Sequence, residues 1–211
     1  MSRRTLRPRT PGPSPPSTGE RGENSLCAKW WCVGFIIFGG PMALIDVKIS
    51  HLEMLTRPNL SVTAPRSGLT VLHAQHPTVS YYRYLYAAVG QKYYWQSRAK
   101  LSDKKLGAIL NDSRVEVHVL HVDGTPAGFA ELDRRVADEI ELKQFGLVGE
   151  FIGQGLGKYF LAWTIEKAWS YHPRRFWLHT CTLDHPVALP NYLKAGFVLF
   201  KEEMEREEIN A

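Results

Sequence analysis

The segment "VGEFIGQGLGKYFL", residues 148–161, carries the most informative pattern in the chain. It follows a predicted strand, Glu139–Val148, and the glycines spaced along it make the backbone permissive. A helix is predicted to start at about Leu156, because apolar side chains recur at helical spacing from there to Trp169. A glycine-rich turn between a strand and a helix brings backbone N–H groups together at the helix N-terminus, where they can bind a phosphate.

Two well-known phosphate-binding motifs do not match this turn. The dinucleotide fingerprint needs a third glycine where this chain has Lys158. The P-loop needs a glycine at the position of Ile152 and a Ser or Thr at the position of Tyr159. Both motifs belong to parallel sheets, whereas the dipeptide Asp123-Gly124 predicts an antiparallel hairpin upstream. The turn therefore indicates another kind of phosphate-binding fold.

Strands and helices are predicted on both sides of this turn. Their order is a strand, two helices, three strands, a helix, a strand, a helix and a final strand. This order predicts an α+β fold with a mixed sheet and without an internal repeat. The predicted elements are strand 44–55, helix 77–91, a short helix after Ser102, strands 115–122, 125–132 and 139–148, helix 156–169, strand 176–182, helix 187–195 and a strand that begins at residue 197.

A second segment, "HPVALPNYLKAGF" at residues 185–197, narrows the choice of family. The glycine-rich turn resembles the pyrophosphate loop of the GNAT superfamily of acyl-CoA-dependent N-acyltransferases, with Gly155 and Gly157 at its small positions and Ile152 replacing the usual Arg or Gln. The second segment resembles the final helix-and-strand motif of the same family, with His185 replacing the usual Asn. Its matching residues are Ala188, Tyr192, Lys194, Gly196 and Phe197.

This resemblance implies a fold and a cosubstrate. The fold is a central mixed, mostly antiparallel sheet of about six strands, flanked by about four helices and splayed between the fourth and fifth strands. The cosubstrate is acetyl-CoA, with no metal. Backbone amides of the loop would hold its pyrophosphate, and the end of the fourth strand, Leu147 and Val148, would face its thioester. The implied loop residues are Ile152, Gly153, Gln154, Gly155, Leu156, Gly157 and Lys158.

The resemblance also assigns candidate catalytic residues. Tyr192 matches the family tyrosine that protonates the coenzyme A sulfur as a general acid. Glu141 lies on the fourth strand, where several GNAT enzymes carry a base for the amine, and Glu139 on the same face is an alternative. His185 is a third candidate base, because an imidazole titrates near neutral pH.

The acyl acceptor is expected to be a small amine. In this fold the first two helices line the acceptor pocket, so Tyr82, Tyr86 and Trp95 could form an aromatic wall for a cationic or aromatic substrate. Aromatic residues at helical spacing could equally belong to the core. Two alternative functions stay open. One is a protein N-acetyltransferase, and the other is a coenzyme-A-binding sensor without catalysis, which the Ile152 substitution keeps open.

The charge and composition of the chain limit its partners and its location. The formal net charge is +5, but residues 1–41 hold six Lys and Arg against two Asp and Glu, and the rest holds 20 against 19. Residues 1–41 are predicted to be a disordered basic, proline-rich leader that need not belong to the native domain, and residues 42–211 to be the GNAT-like domain. Because the domain is near neutral and the apolar run at Trp30–Ile45 is too short to span a bilayer, neither nucleic acid nor a membrane is expected as a partner.

The cysteine pattern points to a cytoplasmic protein. Cys27, Cys32 and Cys181 are too few and too scattered for a disulfide framework, so reduced thiols are expected. A nucleophilic role for Cys181 has no partner evident in the sequence. The oligomeric state, a homodimer included, stays open.

Overall fold

The computed structural model describes residues 42–210, so the predictions for the leader and its apolar run lie outside the described residues. The elements, in chain order, are β1 (Met42–Met54), β2 (Leu69–Ala74), α1 (Val79–Gly90), α2 (Asp103–Leu110), β3 (Val115–Val122), β4 (Thr125–Asp133), β5 (Glu139–Leu147), α3 (Leu156–Trp169), β6 (Arg175–Cys181), α4 (Ala188–Lys194) and β7 (Val198–Asn210). Two short 3₁₀ turns, Gln91–Tyr93 and Gly149–Phe151, follow α1 and β5.

The strands form one sheet in the order β2-β3-β4-β5-β6-β1-β7. Every neighbouring pair is antiparallel except β5 and β6. Helices cover both faces: α1 and α2 pack on one side against Val117, Val119 and Phe129, and α3 and α4 belong to the core on the other side. The predicted α+β fold with a mixed, mostly antiparallel sheet and four helices is confirmed.

The predicted meander is confirmed in β3, β4 and β5. Asp123 and Gly124 both have positive φ, at 49° and 86°, as the tight turn between β3 and β4 requires. Each of α1 and α2 begins at a side-chain cap, where Thr78 accepts from the Tyr81 amide at 3.2 Å and Ser102 accepts from the Lys105 amide at 3.4 Å.

The sheet has seven strands, one more than predicted. The extra strand is β2, at the edge of the sheet, and its short, half-exposed sequence lacks a buried face that periodicity could detect. The last strand is also longer than its apolar start suggested, because β7 pairs with β1 from Val198 to Asn210. Backbone pairing with β1 sustains this extension, although "KEEMEREEIN" has the composition of a solvated segment.

The first strand lies at an unexpected place in the sheet. β1 lies between β6 and β7, at the far end from β2. Pairing with β6 covers Ile49–Met54, so the first half of β1 pairs with β7 alone. We call residues 42–48 of β1 and residues 203–210 of β7 the β1–β7 ribbon.

Candidate active site

The sheet opens between β5 and β6. These strands correspond to the fourth and fifth strands predicted from the sequence, between which the splay is expected. These strands are paired at three positions, Glu139 to Glu141, after which β5 continues to Leu147 beside β4 alone. A β-bulge at Lys143 shifts the register of β5 against β4. Because a bulge bends its strand, it turns the end of β5 away from β6.

A cavity of about 540 Å³ occupies this opening. Its walls come from the end of β5, the glycine-rich loop, α4, the segment after α1, the exposed side of β6 and the β1–β7 ribbon. A volume of this size suits a small ligand of several hundred daltons. The opening of the sheet therefore gives access to both of its faces from one cavity.

The end of β5 presents alternate amides to the opening. The Val148 amide donates to the Ala127 carbonyl at 2.9 Å, so it belongs to the pairing with β4. Because amide directions alternate along a strand, the amides of Leu147 and Phe145 point away from β4, toward the opening. The prediction that Val148 faces a ligand is therefore wrong for its amide, and Leu147 is the cavity-lining residue.

The loop before α3 leaves its amides uncovered. Gly153 and Gly155 have φ of 85° and 75°, and Gly155 precedes α3 without any side-chain cap, in contrast to α1 and α2. The first amides of α3, those of Leu156, Gly157 and Lys158, lack intrahelical partners. A Cβ built on Gly153 would meet nothing within 4 Å. These features fit the pyrophosphate of acetyl-CoA, which needs close access to backbone N–H groups.

Not every predicted loop side chain reaches the cavity. Ile152, Gly153, Gly155, Gly157 and Lys158 line it. The other two predicted residues contribute backbone alone, because the Gln154 side chain donates to the Glu150 carbonyl and Leu156 is fully buried in the core.

Tyr192 lies in α4 and lines the cavity. Its ring packs edge-on against Phe145 and Phe197, with centroids 6.3 and 6.0 Å apart, and 8% of its surface is exposed. Burial, together with the charge of Asp184, raises the pKa of the Tyr192 phenol. The phenol therefore keeps its proton at neutral pH, as a general acid must.

His185 also lines the cavity, but its hydrogen bonding does not suit a base. Its Nδ1 accepts a hydrogen bond from the Val187 amide at 3.2 Å. The neutral ring therefore carries its proton on Nε2, which can donate but not accept. His185 is thus suited to donating a hydrogen bond to a ligand.

Glu141 does not line this cavity, which is a correction to its prediction as the base. It lies beside Trp177 in a separate, smaller pocket, and its carboxylate pairs with Lys143 Nζ at 2.9 Å. Burial acts to raise its pKa, but hydrogen bonds from His179 and Lys143 outweigh burial and lower the pKa below its usual value. A base for an amine needs a raised pKa, so Glu141 is poorly suited to that role.

His179, which the sequence analysis missed, connects Glu141 to the cavity. It lies on β6 and lines the cavity, and its Nδ1 is 3.5 Å from Glu141 Oε1. A carboxylate beside Nδ1 favours the tautomer with its proton there, which leaves Nε2 able to accept a proton. No motif marks His179, because its position depends on the separation of β6 from β5.

Two of the three residues predicted to form an aromatic wall lie at the cavity. Tyr86 and Trp95 line the cavity, with ring centroids 5.4 Å apart, and Trp95 Nε1 donates to Asp184 Oδ1 at 3.0 Å. Gly90 lets the indole lie against the end of α1, since a Cβ there would be 2.3 Å from the ring. Tyr82 is a core residue instead, because it is fully buried and donates to Glu131.

Cys181 lines the cavity as well. Burial, and the nearby charge of Asp184, raise the pKa of its thiol. A thiol with a raised pKa is a weak nucleophile at neutral pH, which argues against a covalent intermediate on Cys181.

The comparisons with known proteins agree with this geometry. A sequence model of the acetyltransferase (GNAT) family matches residues 72–197, more than half of the chain. The protein therefore belongs to the GNAT family of acetyltransferases. β1 and the whole of β7 lie outside the matched range, and no curated protein sequence matches the chain.

Several solved structures share the fold. A GCN5-related N-acetyltransferase from Sphaerobacter thermophilus has 14% identity and a TM-score of 0.57, over 78% of this chain and 52% of that chain. A conserved protein of unknown function from Staphylococcus epidermidis has 20% identity and a TM-score of 0.53, over 78% of this chain and 62% of that one. The chain thus spans about half to two thirds of the length of these solved chains. At these identities the likeness concerns the fold alone.

Among residues 42–210, no helix is sufficiently long and apolar to cross a membrane.

Proposed function

We propose that this protein is an N-acetyltransferase that moves the acetyl group of acetyl-CoA to a primary amine of a small molecule by direct attack. The strongest support is that two unrelated features meet at one cavity. These are the uncapped start of α3, beside Gly155, and the protonated, buried phenol of Tyr192. A phosphate site next to a general acid is what thioester aminolysis on coenzyme A requires.

The chain would hold acetyl-CoA mainly through its backbone. The amides of Leu156, Gly157 and Lys158 would bind the pyrophosphate, where the helix dipole adds to the attraction. The outward amides of Phe145 and Leu147 form an unpaired strand edge, which can hydrogen-bond to an extended, amide-containing arm. One of these amides would polarise the thioester carbonyl.

Acetyl-CoA supplies an acetyl group activated as a thioester: a C–N bond forms to the amine, the C–S bond breaks and coenzyme A leaves as a thiolate. Tyr192 donates its phenolic proton to the departing sulfur and regains a proton from solvent. His179 accepts a proton from the amine at Nε2, and Glu141 stabilises the imidazolium from the Nδ1 side. Glu141 therefore acts through His179. A cytoplasmic location, expected from the cysteine pattern, is part of this proposal.

Calorimetry with acetyl-CoA, followed by thiol release across a panel of small amines, tests the proposal. We expect binding, turnover and a product heavier by one acetyl group. The Tyr192→Phe variant keeps the packed ring and should lower kcat by roughly 10²- to 10⁴-fold, with acetyl-CoA affinity unchanged. Tyr84→Phe is the matched control, because Tyr84 is exposed on α1 and does not line the cavity.

Three outcomes would contradict the proposal. Absence of acetyl-CoA binding would reject the cofactor site. Binding without turnover on any amine would favour a coenzyme-A sensor. Acetylation of peptide amines, with none of small amines, would favour a protein N-acetyltransferase.

A further inference from the structure

The β1–β7 ribbon forms one wall of the cavity. Glu205 and Glu207 are two residues apart and therefore lie on the same face of β7. They line the cavity together with Ile49 of β1. The Gln96 side chain donates to the Glu208 carbonyl at 2.8 Å and so ties the ribbon to the segment that carries Trp95. The ribbon therefore places two carboxylates opposite the aromatic side of the cavity.

Two carboxylates of β7, Glu205 and Glu207, face the cavity without an ion-pair partner among the described residues, whereas Lys201, Glu202, Glu203 and Arg206 on the same strand are paired. Neither Glu205 nor Glu207 forms an ion pair with any residue of the described range 42–210. The partnered residues are Glu202 with Lys48 at 3.0 Å, Glu203 with Lys201 at 2.6 Å and Arg206 with Asp46 at 3.1 Å. Glu208 has no ion pair within residues 42–210 either, but it does not line the cavity, so Glu205 and Glu207 are the unpaired carboxylates of β7 that face it.

The cations that line the cavity do not neutralise this wall. Lys143 pairs with Glu141, and Lys158 belongs to the glycine-rich loop. His179 and His185 add imidazoles, and Asp184 adds a third carboxylate, which accepts from Trp95 and Thr180. The acceptor side of the cavity therefore favours a cation.

A buried amide adds an independent acceptor. Gln144 is 8% exposed and lines the cavity, and its Nε2 donates to Ser97 Oγ at 3.3 Å. Among residues 42–210, no group donates to its Oε1. This oxygen belongs to a cavity-lining side chain, so it is free to accept a hydrogen bond from an N–H group of a ligand.

We propose that the acyl acceptor is an aliphatic diamine or polyamine, whose distal ammonium group is bound by Glu205 and Glu207 while the proximal amine is acetylated. This inference rests on the proposed function. The two nitrogens need opposite protonation states, since the proximal amine must lose its proton to attack the thioester. The distal nitrogen keeps its proton beside the carboxylates. Gln144 Oε1 would accept from an N–H group along the chain.

Three probes with four carbon atoms each test the proposal. Putrescine carries an ammonium group at its far end, butylamine a methyl group and γ-aminobutyrate a carboxylate. In the native protein we expect kcat/KM for putrescine to exceed that for butylamine by about ten- to a hundredfold, and γ-aminobutyrate to be the poorest substrate. The preference for putrescine should shrink as ionic strength rises.

The double variant Glu205→Gln/Glu207→Gln should bring the putrescine-to-butylamine ratio close to one, with kcat/KM for butylamine changed less than about threefold. Glu208→Gln is the matched control, because Glu208 is on the same strand but does not line the cavity, and it should keep the preference. Circular dichroism and acetyl-CoA calorimetry show whether each variant is folded.

Equal turnover of putrescine and butylamine by the native protein would overturn this inference and leave the proposed function intact. An unchanged preference in the double variant would also overturn it. Absence of acetylation with every amine would overturn both proposals.

Discussion

Replacement of Gly155 by alanine adds a methyl group to the residue that precedes α3. Gly155 has φ of 75°, a left-handed conformation in which a Cβ is strained by about 1–2 kcal/mol. For a chain of this size, that loss of stability lowers Tm by roughly 2–8 °C. Apart from its chain neighbours, the nearest heavy atom to the new Cβ would be Pro65 Cβ at 3.9 Å, an ordinary contact. Backbone strain is therefore the whole cost to the protein alone.

The effect on acetyl-CoA binding is expected to be separate. The methyl group would stand where the pyrophosphate approaches the amides of α3. Loss of one hydrogen bond to a charged group costs about 1.5–3 kcal/mol. We therefore expect the Kd for acetyl-CoA, measured by calorimetry, to rise about ten- to a hundredfold.

Gly124→Ala is the control for this experiment. Gly124 has φ of 86°, meets nothing within 4 Å of a built Cβ and lies in the turn between β3 and β4, away from the cavity. This variant should show a similar decrease in Tm and an unchanged Kd for acetyl-CoA. The reasoning is refuted if Gly155→Ala binds acetyl-CoA within about threefold of the native protein. Equal losses of affinity in both variants would refute it too.

Two further predictions concern buried charges. Arg98→Ala should lower the free energy of unfolding by about 3–5 kcal/mol in urea titrations, because it leaves Glu131 fully buried without its ion pair; a loss below about 1 kcal/mol would contradict this. Burial acts to raise the pKa of Glu116, but hydrogen bonds from His118 and Tyr171 outweigh it and lower the pKa to about 2, from an ordinary 4.5. Stability from Glu116 should thus be complete above pH 4.5 and decline by roughly 2–3 kcal/mol toward pH 2, a decline that Glu116→Gln removes.

The sequence predicted the parts of the fold that local patterns determine. Helix α3 has its predicted bounds, Leu156–Trp169, because glycine spacing and helical periodicity both act within a few residues. The Asp123-Gly124 turn predicted the hairpin of the meander for the same reason. β2 and the extension of β7 were missed, since pairing with a distant strand supports these segments and their own composition does not.

The residues of the candidate site also differ in whether a local sequence pattern marks them. Tyr192 and the glycine-rich loop were found because they lie in contiguous motifs. His179 and Glu205 reach the cavity through the opening of the sheet and the position of β1, which one strand alone does not reveal. Tyr82 was assigned to the pocket because helical periodicity gives the face of a residue but not its depth along the helix axis.

The position of β1 has a consequence for biosynthesis. In the register of the sheet, Met42 lies opposite Asn210, so β1, the first of the described strands, pairs with β7, the last of them. At a translation rate of about 5–20 residues per second, β1 waits roughly ten seconds or longer on the ribosome before its partner emerges. Closing so long a loop is slow, and until then the edge of β1 that faces away from β6 stays unpaired. An unpaired strand edge can pair with another chain, so aggregation of newly made chains is expected to be most frequent during this interval.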